Sequence, residues 1–246
     1  QAPSESELSI LRRYTGFGGL SLAKVKDRLP ADLVPTPKAL IDEYYTPPEL
    51  CAEVARLVSE LSGGGIDGLA LEPAAGVGRF VQAFAARPGM NVNWQVVEFS
   101  RLSARIAEKL LPGARVFNQS FESYLVEHFN ELAGRLSLVV TNPPYGVRGR
   151  NKYEDPDKSY REDRAFAYFV RRSFDLLAGG GYGVALVPQG FLGGSGAKNQ
   201  ELRTRMLRRH HLLVAFRLPS SLFVGAEIVT DLSVWQARGG ELDQLD

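Results

Sequence analysis

From Thr46 onward the chain alternates short apolar runs with amphipathic stretches, and this rhythm limits its fold more than any other feature. Apolar residues at Leu50, Val54, Leu57, Val58 and Leu61 recur at the spacing of one helix face, with Thr46 expected as N-cap and Pro47 as the first helical residue. Gly63-Gly64-Gly65 ends that helix. Strand Leu69–Leu71, helix Arg79–Ala86, strand Asn93–Val97 and helix Leu102–Leu111 follow, then strand Arg115–Phe117, a helix near Glu122–Phe129 and strand Leu136–Thr141. After a long polar loop, helix Arg164–Ala178 aligns Phe166, Phe169, Val170, Phe174 and Leu177 on one face, and Gly179 to Gly181 turns the chain into strand Tyr182–Val187. Helix Ala197–Arg209 and strands Leu212–Leu218 and Val229–Trp235 complete the pattern, the last two too close in sequence for anything but a hairpin. Strands that return through helices run parallel. The pattern therefore predicts an α/β protein with a mostly parallel sheet of seven strands, helices on both faces, and an antiparallel last strand at one edge.

Hydrophobic residues make up 44% of the chain and charged residues 23%, enough apolar material for an ordinary globular core. No apolar run approaches the roughly 20 residues that span a bilayer, and Gln1 to Glu7 is polar and acidic. No membrane segment or signal peptide is expected, and a cytoplasmic location is. Cys51 stands alone, and one cysteine with three histidines leaves little material for a zinc site, so no metal is expected. A net charge of +1 gives no global sign of a nucleic-acid partner, but cations cluster locally. Arg148, Arg150, Lys152, Lys158, Arg161 and Arg164 share the long loop, while Arg203, Arg205, Arg208 and Arg209 decorate a helix; by composition alone both clusters read as solvated faces. Residues 1–40 form an N-terminal arm, with a helix over Glu5–Tyr14, a glycine turn at Gly16-Phe17-Gly18-Gly19 and a Pro-punctuated linker; residues 41–238 form the main domain and 239–246 a tail. A start without Met and an end just past a strand suggest an excerpt from a longer protein.

In open α/β sheets ligands bind beyond the carboxyl ends of the strands, where strand order reverses. The first strand runs into Glu72-Pro73-Ala74-Ala75-Gly76-Val77-Gly78-Arg79-Phe80, whose small residues let a ligand lie against the backbone. Glu98 ends the second strand 20 residues after Gly78, the separation at which an acid meets ribose hydroxyls. Val81 replaces the third glycine of the dinucleotide fingerprint, which argues against a pyrophosphate and for a nucleoside without phosphates. S-adenosylmethionine is such a nucleoside: Glu72 suits its ammonium, and Phe121 is either a wall for its adenine or part of the core.

The fourth strand runs from Thr141 into Asn142-Pro143-Pro144-Tyr145. Two prolines stop strand pairing and fix an extended turn, which sets where the Asn142 amide and the Pro143 carbonyl point. An exocyclic base amine is a poor nucleophile because its lone pair is delocalised into the ring. Two fixed acceptors for its hydrogens favour a tetrahedral nitrogen with the lone pair free. Tyr145 offers a flat face for an extruded base, worth roughly 1–3 kcal/mol against the few kcal/mol of unstacking.

Together, Glu43-Tyr44-Tyr45-Thr46-Pro47-Pro48-Glu49-Leu50, the Glu72–Phe80 loop, Glu98 and Asn142–Tyr145 resemble, in order, motifs X, I, II and IV of the γ-class N6-adenine DNA methyltransferases, over about residues 41–236. The resemblance implies a Rossmann-like class I methyltransferase fold, S-adenosylmethionine as cofactor, and methylation of an adenine flipped out of double-stranded DNA. It implies that Tyr45, Thr46 and Pro47 line the methionine side, that Glu72, Pro73, Ala74, Gly76 and Gly78 form the floor, and that Glu98 holds the ribose. Phe121 would flank the cofactor adenine, Asn142, Pro143, Pro144 and Tyr145 would be catalytic, and Phe223 would close the second face of the flipped base. Tyr14 to Leu20 is similar to a segment preceding methylase domains in large plasmid and phage proteins that also carry helicase regions. A fused helicase or recognition domain and a bacterial, plasmid- or phage-encoded origin follow as expectations, with restriction-modification or anti-restriction as the setting.

Two departures stand out: Ser120 replaces the Asp that many relatives carry before Phe121, and no recognition domain follows residue 236. The loop Gly146–Asp163, with Arg148, Arg150, Lys152 and Lys158, is the expected contact to the DNA backbone. Two alternatives remain. One is methylation of a protein glutamine or of RNA, and the other is a catalytically silent DNA- or partner-binding module of the same fold.

Overall fold

Neighbouring residues of a strand face opposite sides of a sheet, so a strand that is apolar throughout leaves neither face to water. The strand Leu136–Thr141 is nearly so, with only Ser137 and Thr141 polar: Leu136 and Val139 join one core, Leu138 and Val140 the other. Helices must therefore cover both faces, and they do.

The computed structural model describes residues 3–17, 21–35, 45–222 and 229–239. Helices α1 (Glu5–Arg12) and α2 (Leu22–Lys26) belong to the arm. The sheet comprises β1 (Ile66–Glu72), β2 (Met90–Val97), β3 (Arg115–Phe117), β4 (Leu136–Thr141), β5 (Leu177–Pro188), β6 (His210–Arg217) and β7 (Thr230–Ala237), in the order β3-β2-β1-β4-β5-β7-β6. One face packs against α3 (Pro48–Leu61), α4 (Arg79–Ala85) and α5 (Arg101–Leu110) through Val54, Phe84 and Ala107. The other packs against α6 (Phe121–Leu132), α7 (Ala165–Phe174), α8 (Gln189–Gly193) and α9 (Ala197–Arg209) through Leu125, Phe174, Phe191 and Met206. Strands β1 to β5 are parallel where they pair.

The last strand is antiparallel but not at the edge. β7 lies between β5 and β6 and pairs with both, which leaves β6 outermost. Side-chain burial explains the order: β7 is buried almost end to end around Leu232, Val234 and Trp235, whereas Leu212, Leu213 and Phe216 of β6 remain exposed.

Two helix boundaries also differ from expectation. Helix α3 takes Pro47 as N-cap and Pro48 as its first residue, one position later than the sequence suggests, which frees the Thr46 side chain for another partner. Helix α7 ends at Phe174 rather than Ala178, because Leu177 pairs with Leu136 and opens β5. Gly179 to Gly181 is thus part of β5; Gly180, at φ 81°, accompanies a ladder irregularity.

The chain runs from β1 outward through β2 to β3, then returns to β4 on the opposite side of β1. The crevice at the carboxyl ends of β1 and β4 is the topological switch point, where Glu72 and Thr141 end their strands. The arm is fastened nearby: α1 packs on α5, and Phe17 and Val25 form a small cluster with Leu22, Leu29 and Leu102. Among the described residues no helix is long and apolar enough to cross a membrane.

Candidate cofactor and substrate site

The turn leaving β1 needs backbone that side-chain-bearing residues resist. Gly76 (φ 57°) and Gly78 (φ 74°) are both left-handed, and Gly78 caps α4. A Cβ on Gly76 would come within 2.6 Å of the Tyr45 ring, so the glycine is also what lets Tyr45 lie across the turn. Glu98 closes the same turn from β2: its carboxylate accepts the Gly76 amide at 2.7 Å and the Ser100 amide at 2.6 Å. The Tyr45 hydroxyl is 2.7 Å from Ser103 Oγ on α5, which in turn donates to Ser100 Oγ at 3.1 Å.

Glu72 is buried, and its Oε2 has no hydrogen-bond partner. Burial, with the like charge of Glu98, pushes its carboxyl well above the usual carboxylate range. Thr141 Oγ1, at the end of the neighbouring β4, is likewise buried and unpartnered. Unpaired polar groups of this kind are rare in interiors, and two of them at adjacent strand ends mark a place suited to a polar ligand.

On the β4 side, Asn142 donates its Nδ2 hydrogen to Thr46 Oγ1 at 3.2 Å. That bond orients the amide, and among the described residues the Asn142 Oδ1 accepts no hydrogen bond. Tyr145 is half-buried, edge-on to Phe166 at 6.5 Å, with its hydroxyl beside Thr230 and its acidity suppressed by burial. Direct contacts thus join Tyr45 to Gly76, Gly76 to Glu98 and Thr46 to Asn142, although these residues come from four separated stretches of chain.

Several expected site residues lie elsewhere. Phe121 is only 2% exposed and packed at 5.8 Å from Tyr168 and 5.3 Å from Phe169, which places it in the core. Phe99, which sequence reading missed, is 71% exposed immediately after Glu98, and Asn118 Nδ2 fixes its loop through the carbonyls of Glu98 and Phe99. Its signal was an aromatic residue directly following a strand-end acid. Ser120 caps α6 by accepting the Ser123 amide, which accounts for a hydroxyl at that position. Phe223 lies outside the described residues.

Arg148 is a correction to the expected DNA contacts. Its guanidinium is buried, bonded to Glu122 Oε1 at 2.6 and 3.0 Å, stacked at 3.3 Å on Tyr168, and donated to the carbonyls of Tyr160 and Glu162. A second buried pair, Arg172 with Asp155 at 2.9 Å, fastens the same loop. Arg148 is therefore internal scaffolding, because Glu122 and Tyr168 provide partners that no exposed position could. Lys152 is tied to Asp163 at 2.6 Å, whereas Arg150 and Lys158 are exposed.

Residues 56–223 match the family model described as Eco57I restriction-modification methylase. A protein of Escherichia phage P1 described as defense against restriction protein B is 30% identical over 242 residues; the match spans 97% of this chain but 9% of that protein. Among solved structures the chain is similar to a Listeria monocytogenes protein described as a class I S-adenosylmethionine-dependent methyltransferase (TM-score 0.66, 15% identity, 96% of this chain and 72% of that one). It is also similar to the methyltransferase subunit of a type I restriction-modification system from Streptococcus thermophilus (TM-score 0.62, 18% identity, 81% and 48%). The sheet, with its antiparallel last strand, is that of the class I methyltransferases. Fold and family imply S-adenosylmethionine as cofactor. The site suits it, since the orphaned Glu72 oxygen matches an ammonium, Glu98 a ribose, and the glycine turn a close-lying backbone ligand.

Proposed function

We propose, from the premise that this chain belongs to the Eco57I restriction-modification methylase family, that it transfers a methyl group to the N6 amine of an adenine turned out of double-stranded DNA. The observation that carries this reading is the Asn142 amide, anchored through its Nδ2 to Thr46 while its Oδ1 stays available as an acceptor. Bound S-adenosylmethionine supplies an electrophilic methyl carbon. Asn142 Oδ1 and the Pro143 carbonyl accept the two amine hydrogens, which localises the nitrogen lone pair for attack. The nitrogen would take the methyl carbon while the sulfur keeps the carbon–sulfur electron pair, and the surplus proton would pass from the nitrogen to water. Tyr145 stacks on the everted base, and Pro143 and Pro144 keep the turn from relaxing.

On the cofactor side, Glu72 pairs with the ammonium, Glu98 with the ribose, and Tyr45, Thr46 and Pro47 border the methionine chain over the Pro73-Ala74 floor. Phe99 replaces Phe121 as the adenine's apolar neighbour. Arg150 and Lys158 meet the phosphate backbone. The cellular setting we infer is the bacterial cytoplasm, with recognition or helicase regions elsewhere in a longer plasmid- or phage-encoded protein.

The test is to incubate the chain with labelled cofactor and DNA, digest to nucleosides and look for N6-methyldeoxyadenosine. Asn142→Ala should lower transfer by about a hundredfold or more while leaving cofactor affinity nearly intact. Label found only in RNA or protein, or full activity in that variant, refutes the proposal.

A further inference from the structure

Arg79 stands where a cation is electrostatically misplaced. It opens α4, at the positive end of the helix dipole, and burial disfavours its charged form. What offsets these costs is its bonding to two remote parts of the chain. One guanidinium nitrogen donates to the Thr46 carbonyl at 2.9 Å, the other donates to the Tyr14 carbonyl at 2.8 Å, and the group lies 5.6 Å from the centre of the Tyr45 ring.

Both remote parts bear on the site. Thr46 is the residue that orients Asn142, and Tyr45 lies across Gly76 and reaches Ser103 beside Glu98. Tyr14, from the arm, packs edge-on against Tyr45 at 5.6 Å and 76°. The arm is also held by Phe17, which joins the cluster with Leu102 and packs edge-on against Tyr14 at 6.1 Å, and by Asp32 near Arg101 at 3.3 Å. Arm, cofactor turn and catalytic amide therefore share one junction, centred on Arg79.

We infer that the N-terminal arm is a working part of the cofactor site: Tyr14, held by Arg79, backs Tyr45, so that arm docking and nucleoside binding stabilise one another. Arg79 is the positioning residue of this coupling. The inference rests on the methyltransferase reading and adds to it a linkage between the site and a segment more than thirty residues upstream of it. Linkage is reciprocal, so whatever the docked arm adds to ligand affinity the ligand returns to arm docking.

The experiment uses the full chain and S-adenosylhomocysteine, with amide hydrogen exchange across α1 as the reporter of arm docking and calorimetry as the reporter of affinity. Saturating ligand should slow exchange of the α1 amides by about tenfold, and Phe17→Ala, which loosens the arm and its packing on Tyr14, should weaken binding by a similar factor. Arg79→Gln should weaken binding and also remove the ligand's protection of α1. Ligand binding that leaves α1 exchange unchanged, or an arm loosened by Phe17→Ala with affinity intact, overturns the inference alone. Failure of the unaltered chain to bind at millimolar ligand overturns both the methyltransferase reading and this one.

Discussion

Replacing Arg148 with Met separates two roles that look alike in sequence, a phosphate contact and an internal strut. The side chains of Arg148 and Glu122 are 3% and 5% exposed and meet at 2.6 Å. Solvent does little to screen such a pair, and breaking one by removing a single partner typically costs about 3–5 kcal/mol. The substitution also strips donors from the carbonyls of Tyr160 and Glu162, so the upper half of that range applies. For a domain of this size each kcal/mol shifts the midpoint by about 2–4 °C, giving a drop in Tm of about 8–20 °C. Burial already holds the Glu122 carboxyl above its ordinary value, with Arg148 pulling it down. Without the guanidinium it rises further. A carboxyl raised in the folded state contributes stability that is present at low pH and lost as pH climbs through its folded value, so the deficit of Arg148→Met should be larger at pH 8 than at pH 5. The double variant Glu122→Leu/Arg148→Met, which removes both charges, should recover much of the loss. Thermal unfolding measures the Tm drop, and urea unfolding at the two pH values measures the free energies. If Arg148→Met unfolds at the wild-type midpoint and instead lowers the salt slope of DNA binding by about one, the arginine is a phosphate contact and the reasoning fails.

Glu72 should behave in the same sense without a cation to relieve it. Its carboxyl is raised by burial and by Glu98, so stability present in the acid range is lost as pH rises through the raised value. Glu72→Gln should flatten that pH dependence in thermal unfolding while abolishing S-adenosylhomocysteine binding, and an unchanged pH profile would count against a buried carboxyl there. In the wild type, binding an ammonium should release a proton, visible by calorimetry in buffers of different ionisation enthalpy. Phe99→Ala should weaken S-adenosylhomocysteine binding by about tenfold with Tm unaltered, whereas Phe121→Ala should cost about 3–5 kcal/mol of stability as a core deletion. The opposite pattern would restore Phe121 as the ligand wall.

The strands were legible because their periodicity is local, and candidates for the site could be picked out because switch-point residues directly follow those strands. What sequence did not disclose was partnership at a distance. Nothing along β6 or β7 states which pairs with β5; that choice follows from three-dimensional burial of Leu232, Val234 and Trp235. Pro47 and Pro48 each suit a helix start, and α3 begins at the later one, with Thr46 turned to Asn142 instead of capping. Phe99 and Phe121 both follow strands, but Phe121 opens a helix whose first turn faces the core, while Phe99 sits in a loop. The basic loop makes the same point most clearly. Its cations look equivalent in a row, yet each can be assigned to DNA only after subtracting those for which the fold supplies an acid. Glu122 takes Arg148 and Asp163 takes Lys152, and neither pairing follows from charge spacing. Arg150, Lys158 and Arg161 keep their charge at the surface, Arg161 resting 5.2 Å from the Tyr153 ring, and Arg150 and Lys158 are the two that the proposed function assigns to a phosphate backbone.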